Sequence, residues 1–310
     1  MANDVVLRTE KLGKRFGHRW AASDINLEVR RGDVFGFLGP NGAGKSTTIR
    51  MVLSLIAPST GSVELFGHSL SKKRELALAR VAGIVEKPDF YLYLSAYRNM
   101  QIAGQLTLGT NPDKKRILAE LEQVGLGDRA FDRVKTFSHG MKQRLGIAQA
   151  LLCSPELIML DEPTNGLDPQ GMKEVRELIR ILTHERGITV FLSSHLLNEV
   201  EQVATRMAII NKGTMIIQGS VEDLLKTQAK RVELHVEPLE RSLEVIARFL
   251  PADSIQTLGQ TISLSVDTHQ IPQIASALVQ EGCSIYSIEP KRSLEEFFLT
   301  VTESAIEEGK

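Results

Sequence analysis

Nine consecutive residues decide the fold of this chain: Gly39, Pro40, Asn41, Gly42, Ala43, Gly44, Lys45, Ser46 and Thr47. They fit the pattern G-x-x-x-x-G-K-[ST], follow the apolar stretch Val34–Leu38 and precede a helical pattern over 47–56. Glycines let backbone N–H groups curl around phosphate oxygens, and the start of a helix adds the positive end of its dipole. Lys45 would supply a positive charge to the outer phosphates, and the Ser46 hydroxyl is placed for Mg²⁺. The context therefore predicts a site for a nucleoside triphosphate within a strand–loop–helix unit.

A second stretch supplies the carboxylates that such a site needs. The apolar run Leu157–Leu160 ends in Asp161 and Glu162. If this run is a strand parallel to Val34–Leu38, its end reaches the same edge of the sheet as the loop. Asp161 would then hold Mg²⁺ through water, and Glu162 would act as general base on the attacking water. By itself this segment is also an ordinary turn at the end of a strand, so its interpretation depends on the loop.

Short aliphatic runs alternate with helical patterns up to about residue 220, which predicts an α/β fold with a buried, mostly parallel sheet. Two further strands of that sheet are expected at Val190–Leu192 and Met207–Ile210. A flanking antiparallel sheet is expected from three N-terminal stretches: Val5–Thr9, Ile25–Val29 and Ser62–Leu65.

Residues 88–155 are expected to form a helical insertion in this core. Asn111 and Pro112 predict a helix start, with the asparagine as cap and the proline at the first helical position. Gly125 is expected to end that helix. One helical face carries its apolar residues, Ile117, Leu118, Leu121 and Val124.

The strand and helix pattern restarts after residue 228. The order of the apolar segments is β-α-β-β-α-β, which is typical of a ferredoxin-like unit. We therefore expect a nucleotide-binding domain over 1–228 and a small α+β domain over 229–310. A polar linker is expected near 226–230, and a last helix over 293–303.

Bulk composition narrows the possible partners. With 310 residues, 42% hydrophobic and 24% charged, the chain is typical of a globular protein of more than one domain. A formal net charge of -1 provides no basic field, so no nucleic-acid partner is expected.

Cys153 and Cys283 suit reduced, buried thiols better than a disulfide framework. The N-terminal stretch lacks the apolar core of a signal peptide, and no run of 18 apolar residues occurs, so a role at a membrane would require a partner.

Four further segments follow the same order as in a known family. Phe137–Arg144, Asn165–Asp168 and Ser193–His195 resemble the signature, the D-loop and the switch histidine of the nucleotide-binding subunits of ABC transporters. Phe16 stands where that family places an aromatic residue against adenine. The resemblance covers residues 4 to about 225. It implies a phosphate-loop ATPase that binds ATP and Mg²⁺.

The resemblance also implies a role for each matching residue. Ser138 and the Gly140 N–H, at a helix start, would bind the γ-phosphate of ATP held by a second subunit. His195 would bind the γ-phosphate in its own subunit, and Asp168 would contact the other one. Phe16 would stack on the base, since stacking needs only a flat face. Simpler alternatives are a helix cap, a structural histidine, a turn acid and a core aromatic, respectively.

The signature departs from the commoner LSGGQ form of the family. It reads FSHGM, so His139 and Met141 replace a glycine and a glutamine. Ser138 and Gly140 are retained, and the anion site should be retained with them.

Glu86 is the larger departure, because most members of the family have glutamine there. Followed by KPDFY, it resembles the branch of bacterial ABC exporters that includes bacitracin- and lantibiotic-resistance transporters. A carboxylate near the ATP phosphates would contact Mg²⁺, directly or through water. The alternative is a surface glutamate paired with Lys87 or Arg98.

In the family, the segment from Glu86 to Tyr97 lines a groove that receives a helix of the transmembrane subunit. Its apolar, aromatic character suits an amphipathic helix and comes from Phe90, Tyr91, Leu92, Tyr93 and Leu94. The alternative is that these residues pack inside the helical insertion.

The resemblance implies a head-to-tail dimer of two copies with a composite ATP site. A separate transmembrane permease would be powered from the cytoplasmic face of the membrane, with export of a drug- or peptide-type cargo. Two alternatives stay open, a non-transport ABC ATPase acting on ribosomes or DNA and the subunit of an importer. The chain has one signature and no heptad run, which argues against the first.

Overall fold

The computed structural model describes residues 4–226, 231–259, 261–266 and 269–291. The chain divides into two compact units, with the division between Val221 and Glu222. Most of the expected linker, residues 227–230, and the helix expected over 293–303 lie outside the described residues. The domain boundary at 228 therefore stays a prediction.

The first unit alternates strands and helices. Its strands are β1 Val5–Phe16, β2 Arg19–Ile25, β3 Glu28–Arg30, β4 Val34–Leu38, β5 Thr60–Leu65, β6 His68–Ser69, β7 Val81–Ile84, β8 Leu157–Leu160, β9 Thr189–Ser194, β10 Arg206–Asn211 and β11 Thr214–Ser220. Its helices are α1 Lys45–Val52, α2 Arg74–Leu78, α3 Ala96–Leu108, α4 Lys114–Gln123, α5 His139–Leu151, α6 Pro169–His184 and α7 Leu197–Glu201. Helix α8, Val221–Lys226, begins at the division between the units.

A six-stranded sheet forms the centre of this unit, in the order β11-β10-β4-β9-β8-β7. Strands β10, β4, β9, β8 and β7 are parallel, and β11 pairs with β10 antiparallel. Every residue of β4, β8 and β9 is buried, which explains why these strands are continuous apolar runs rather than alternating ones. The predicted parallel core is confirmed, and its register places Leu38 beside Ser194 and Leu160 beside Leu192 at one edge.

The flanking antiparallel sheet has the order β2-β1-β5-β6, with β3 paired to β1. The prediction of one strand over Ile25–Val29 was wrong, because the strand is interrupted at Asn26 and Leu27, between β2 and β3. Asn26 causes the break, since its side chain accepts a hydrogen bond from the Lys11 N–H and donates to the Asp24 carbonyl oxygen. Asp24 also has a φ of 54°, which a regular strand does not permit.

The segment between β7 and β8 contains α3, α4 and α5, together with 3-10 turns at Gly127–Arg129 and Val134–Thr136. The predicted start of α4 was wrong, because Asp113 rather than Asn111 is the N-cap. Pro112 is buried against α3, where a Cβ on Gly104 would lie 2.0 Å from Pro112 Cγ. Packing on α3 thus takes the proline out of the helix. Gly125, with a φ of 68°, follows the end of α4 as predicted.

The second unit has the predicted β-α-β-β-α-β order. Its elements are β12 Arg231–Glu237, α9 Leu239–Ile246, β13 Ile255–Leu258, β14 Thr261–Ser265, α10 Ile271–Gln280 and β15 Ser284–Lys291. The sheet order β13-β14-β12-β15, antiparallel throughout, is that of a ferredoxin-like fold. Alternate residues of β12 and β14 point into a core with α9 and α10, and Cys283 is buried there as a free thiol. Among the described residues, the helices are too short or too polar to cross a bilayer.

Candidate active site

The loop 39–44 joins β4 to α1 at the centre of the parallel sheet, and two of its glycines are required by close backbone contacts. A Cβ on Gly39 would lie 2.2 Å from the Ile210 carbonyl oxygen, and one on Gly44 would lie 2.3 Å from the Ala21 carbonyl oxygen. Gly44 also has a φ of 108° and forms the N-cap of α1. The chain therefore returns sharply into the helix, as expected for a phosphate-binding loop.

Lys45, the first residue of α1, folds its side chain back over the loop. The residue is 5% exposed, and its Nζ donates hydrogen bonds to the carbonyl oxygens of Gly39 at 2.7 Å and Pro40 at 3.3 Å. The same atom lies 3.0 Å from Glu162 Oε1. A buried ammonium group with several oxygen partners is thus held at the mouth of the loop.

Asp161 and Glu162 leave the end of β8 next to β9, and Ser193 of β9 fixes both. Ser193 Oγ donates to Asp161 Oδ1 at 2.6 Å, and the Glu162 N–H donates to the same Oγ at 2.9 Å. Asp161 is buried and Glu162 half-buried. The sequence motifs give Ser193 no role of its own. Its position in β9, the buried strand beside β8, is the signal that identifies it.

His195 follows β9 and completes the cluster. Its Nδ1 lies 2.6 Å from Glu162 Oε2, so the glutamate stands between Lys45 on one side and the imidazole on the other. The structure thus brings Lys45 together with two side chains that lie more than a hundred residues further along the sequence. A carboxylate held between two donors is oriented well for accepting a proton from a nearby water.

The donor set fits a magnesium–nucleotide complex. Ser46 lies in the first turn of α1 and supplies a hydroxyl, while Asp161 supplies a carboxylate. Hard oxygen donors of this kind suit Mg²⁺, which is usually bound by one or two protein groups plus phosphates and water. The exposed backbone of Asn41 and Gly42 and the start of α1 supply N–H groups suited to phosphate oxygens.

Ser138 and Asp168 are both helix N-caps. Ser138 Oγ accepts from the Met141 N–H at 3.2 Å at the start of α5, and Asp168 Oδ1 accepts from the Gly171 N–H at 2.8 Å at the start of α6. The two helix starts are adjacent, since a Cβ on Gly140 would lie 3.5 Å from Gly171 Cα. Capping is therefore present at both positions. The contacts with a second subunit stay predictions, and the exposure of Ser138 and Asp168 leaves them available for it.

Phe16 ends β1 and is 55% exposed, so the alternative of a core aromatic is wrong. Lys14 Nζ lies 5.3 Å from its ring centroid. The sequence interpretation missed Trp20 on the neighbouring strand, the only tryptophan of the chain. Trp20 lines a cleft of about 280 Å³, together with Arg19, Ala21, Asn211, Lys212, Gly213 and the loop residues Pro40, Asn41, Gly42 and Ala43.

Glu86 lies just beyond β7 with its side chain 69% exposed and a φ of 65°. Its partner is Arg50 of α1, rather than the Lys87 or Arg98 considered from the sequence. In the part of the chain that the structure describes, no contact joins it to Asp161 or Glu162. A role for Glu86 in metal binding therefore stays a prediction.

The aromatic segment after Glu86 is largely on the surface. Tyr91, Leu92 and Tyr93 are 50%, 47% and 68% exposed, so the alternative of packing inside the helical insertion is wrong for them. The Asn99 side chain holds the backbone of Tyr91 through bonds of 2.9 and 3.1 Å. Beside this segment runs a groove of about 500 Å³ between β7, α3 and α5, lined in part by Val81, Val85, Pro88, Thr107 and Gly146.

Comparison with known proteins defines the class. A family model described as ABC transporter matches residues 22–165. The chain is 39% identical over 298 residues to the bacitracin transport ATP-binding protein BcrA of Bacillus licheniformis, covering 95% of this chain and 96% of the relative. It is 33% identical over 308 residues to the linearmycin resistance ATP-binding protein LnrL of Bacillus subtilis, covering 96% and 98%. The chain therefore belongs to the ATP-binding proteins of ABC transporters.

A solved structure agrees with this assignment. CbiO1 from Clostridium perfringens, described as part of the ABC transporter complex cbiONQ, superimposes with a TM-score of 0.66 at 27% identity. The match covers 80% of this chain and 96% of that one. Within the family, the similarity along nearly the whole length of BcrA and LnrL places this chain among relatives named for antibiotic transport or resistance.

Proposed function

We propose that the chain binds ATP with Mg²⁺ at the loop 39–47, hydrolyses it, and thereby powers export through a separate transmembrane subunit. The observation that carries the proposal is the contact of Glu162 with both Lys45 and His195 at the end of the phosphate loop. Similarity to ATP-binding proteins of antibiotic transport and resistance supports the direction of transport and a drug- or peptide-type cargo. The alternatives of an importer subunit or a ribosome- or DNA-directed ATPase have no such support.

Each residue of the cluster has a part in hydrolysis. Ser46 and Asp161 would hold Mg²⁺, with Glu86 as a further ligand, and the ion would neutralise charge on the phosphates. Lys45 would bind outer phosphate oxygens, exchanging the carbonyl partners it now has. Glu162 would take the proton of the attacking water, and His195 would hold the γ-phosphate while keeping the carboxylate oriented.

The site is completed by a second copy in this proposal. Ser138 and the Gly140 N–H, at the exposed start of α5, would bind the γ-phosphate of the partner's ATP. Asp168, at the adjacent start of α6, would contact the opposite subunit. Closure on ATP and reopening after hydrolysis form the two-state element that would drive the membrane partner.

The exposed side chains of Tyr91, Leu92 and Tyr93 and the groove beside them suit an amphipathic helix of the permease. The chain would accordingly work at the cytoplasmic face of the membrane. Phe16 would stack on adenine through its exposed ring face.

Trp20 provides a direct test of nucleotide binding, because the only tryptophan lies in a cleft formed in part by the loop. We expect its fluorescence to change on addition of ATP with Mg²⁺, in a saturable manner. The Lys45→Ala variant should need far more ATP for the same change, whereas Lys115→Ala, an exposed lysine of α4, should respond like the parent chain. An unaltered spectrum at saturating ATP, together with no release of phosphate, would contradict the proposal.

A further inference from the structure

Glu199 of α7 is a buried carboxylate outside the cluster described above. The residue is 8% exposed, and its Oε2 accepts a hydrogen bond from the Thr164 hydroxyl, which is buried as well. Its second oxygen, Oε1, is fully buried and has no hydrogen-bond partner among the described residues. Leaving a buried carboxylate oxygen unpaired costs free energy, so stability alone does not account for an acid at this position.

The hydrogen bond between Thr164 and Glu199 joins the segment that follows Glu162 to the segment that follows His195 in the same subunit. Thr164 lies in the tight turn between Glu162 and Asp168, where the Asn165 N–H donates to the Glu162 carbonyl oxygen at 3.1 Å. The Leu167 N–H donates to the Thr164 carbonyl oxygen at 3.2 Å, which continues the turn toward Asp168. Glu199 stands four residues after His195, on the helix that follows the histidine.

We propose that Glu199 is a positioning residue for ATP hydrolysis. Through the Thr164 hydroxyl it ties the turn after Glu162 to the helix after His195, and so fixes the carboxylate relative to the imidazole. The same hydrogen bond also fixes the position of Asp168, which would contact the second copy. This inference rests on the proposed function, since it assigns Glu199 a part in the reaction of that site.

Among the described residues, the polar side-chain contacts on either side of the turn do not replace the bond between Thr164 and Glu199. Glu162 itself is held by Ser193, Lys45 and His195, but these contacts act before the turn begins. Beyond it, Asp168 caps α6 through Gly171. Pro163 and Leu167 of the turn are buried too, but their side chains are apolar, whereas Thr164 joins the turn to α7 by a side-chain hydrogen bond. Loss of that bond should therefore alter the relative placement of the catalytic groups more than the affinity for nucleotide.

Steady-state kinetics of the full chain with ATP and Mg²⁺ test the proposal, using Glu199→Ala and Glu199→Gln. Because the amide oxygen of glutamine still accepts the threonine hydroxyl, Glu199→Gln should keep most of the parent kcat. Glu199→Ala should lower kcat about tenfold, with KM changed by less than about twofold, since a small misplacement of catalytic groups is sufficient. Asn198→Ala, an exposed neighbour on α7, is the matched control and should behave like the parent.

Two threonine variants report on the other end of the bond and keep the test open if Glu199→Ala fails to fold. Thr164→Ser retains the hydroxyl and should retain activity, whereas Thr164→Val removes it and should lower kcat as Glu199→Ala does. The double variant Thr164→Val with Glu199→Ala should be no slower than either single one, because both remove the same interaction.

Opposite results would overturn the inference. Full kcat in both Glu199→Ala and Thr164→Val would remove Glu199 from the reaction. Equal losses of kcat in Glu199→Gln and Glu199→Ala would show that the negative charge of Glu199 matters, rather than its hydrogen bond with Thr164. A fall in melting temperature with unchanged kcat per folded molecule would mean a structural role alone. If the parent chain releases no phosphate from ATP, the proposed function fails instead, and that result is separate from these.

Discussion

At the scale of single residues, two glutamates adopt the left-handed region of φ at the ends of neighbouring parallel strands. Glu162 has a φ of 50° after β8, and Glu86 has a φ of 65° after β7. For residues other than glycine this conformation is uncommon, and it persists where other contacts hold it. Glu162 is held by Ser193, Lys45 and His195, and Glu86 is held by Arg50. The backbone at both strand ends thus turns these carboxylates away from the regular strand direction.

Glu86 gives the first prediction. If its carboxylate turns toward the metal once ATP is bound, Glu86→Gln should raise the Mg²⁺ concentration needed for half-maximal hydrolysis, because a neutral oxygen binds the ion less tightly. Affinity for ATP without metal should change little. A Mg²⁺ titration of ATPase activity measures this.

The pair with Arg50 supplies the control. Arg50→Gln removes the observed partner of Glu86 but leaves the carboxylate free to turn, so it should not raise the Mg²⁺ requirement. Coincident titration curves for Glu86→Gln and the parent chain would reduce Glu86 to a surface residue in an ion pair of small energetic value.

At the scale of elements, a bidentate ion pair links the helical insertion to the core, in addition to the pair between Arg144 of α5 and Glu174 of α6. Arg186, just after α6, makes a two-pronged contact with Glu120 of α4, at 2.7 and 3.2 Å. The Glu120 side chain is only 10% exposed. A bidentate, largely buried contact is stronger than an exposed pair, and removing one partner leaves the other charge uncompensated.

Glu120→Ala should accordingly lower the free energy of unfolding by about 2 kcal/mol, less than for a fully buried pair because Arg186 is partly exposed. Glu177→Ala breaks the exposed pair with Arg180 on α6 and should change it by less than about 0.5 kcal/mol. Urea unfolding of both variants measures the difference. Equal effects would mean that the Glu120 contact does not secure the insertion.

The elements also show what the sequence could predict. Buried strands such as β4 and β8 were identified, because strands covered on both faces are continuous apolar runs. The errors at Asn26 and Pro112 arose where a side chain found a tertiary partner: the Lys11 N–H for one and α3 for the other. Such contacts join residues from separate elements, and local propensity contains no information about them.

In the candidate site, too, the sequence predicts the motif residues but not the contacts between separate elements. The motifs pointed to Lys45, Glu162 and His195, and the structure brings these side chains into contact. Ser193 and Glu199 were assigned no role. Their partners follow from the register of β8 beside β9 and from the placement of α7, which no motif specifies.

At the scale of the whole molecule, the ATP motifs all lie in the first unit, and the ferredoxin-like unit contains none of them. We therefore expect a shortened chain ending at Gln228 to bind ATP with the affinity of the full chain. The Trp20 fluorescence titration measures this, with circular dichroism to verify folding. A shortened chain that folds but does not respond to ATP would show that residues 229–310 contribute to the site.

In the proposed mechanism, two copies of this chain hydrolyse ATP through Glu162. Glu162→Gln keeps the shape of the side chain but cannot accept the proton of the attacking water. The most direct measurement combines phosphate release with size-exclusion chromatography in ATP and Mg²⁺, for the parent chain and this variant. We predict that the parent releases phosphate, whereas Glu162→Gln binds ATP, releases none and elutes as a stable dimer. Normal hydrolysis by the variant, or a variant that stays monomeric at saturating ATP, would contradict the account.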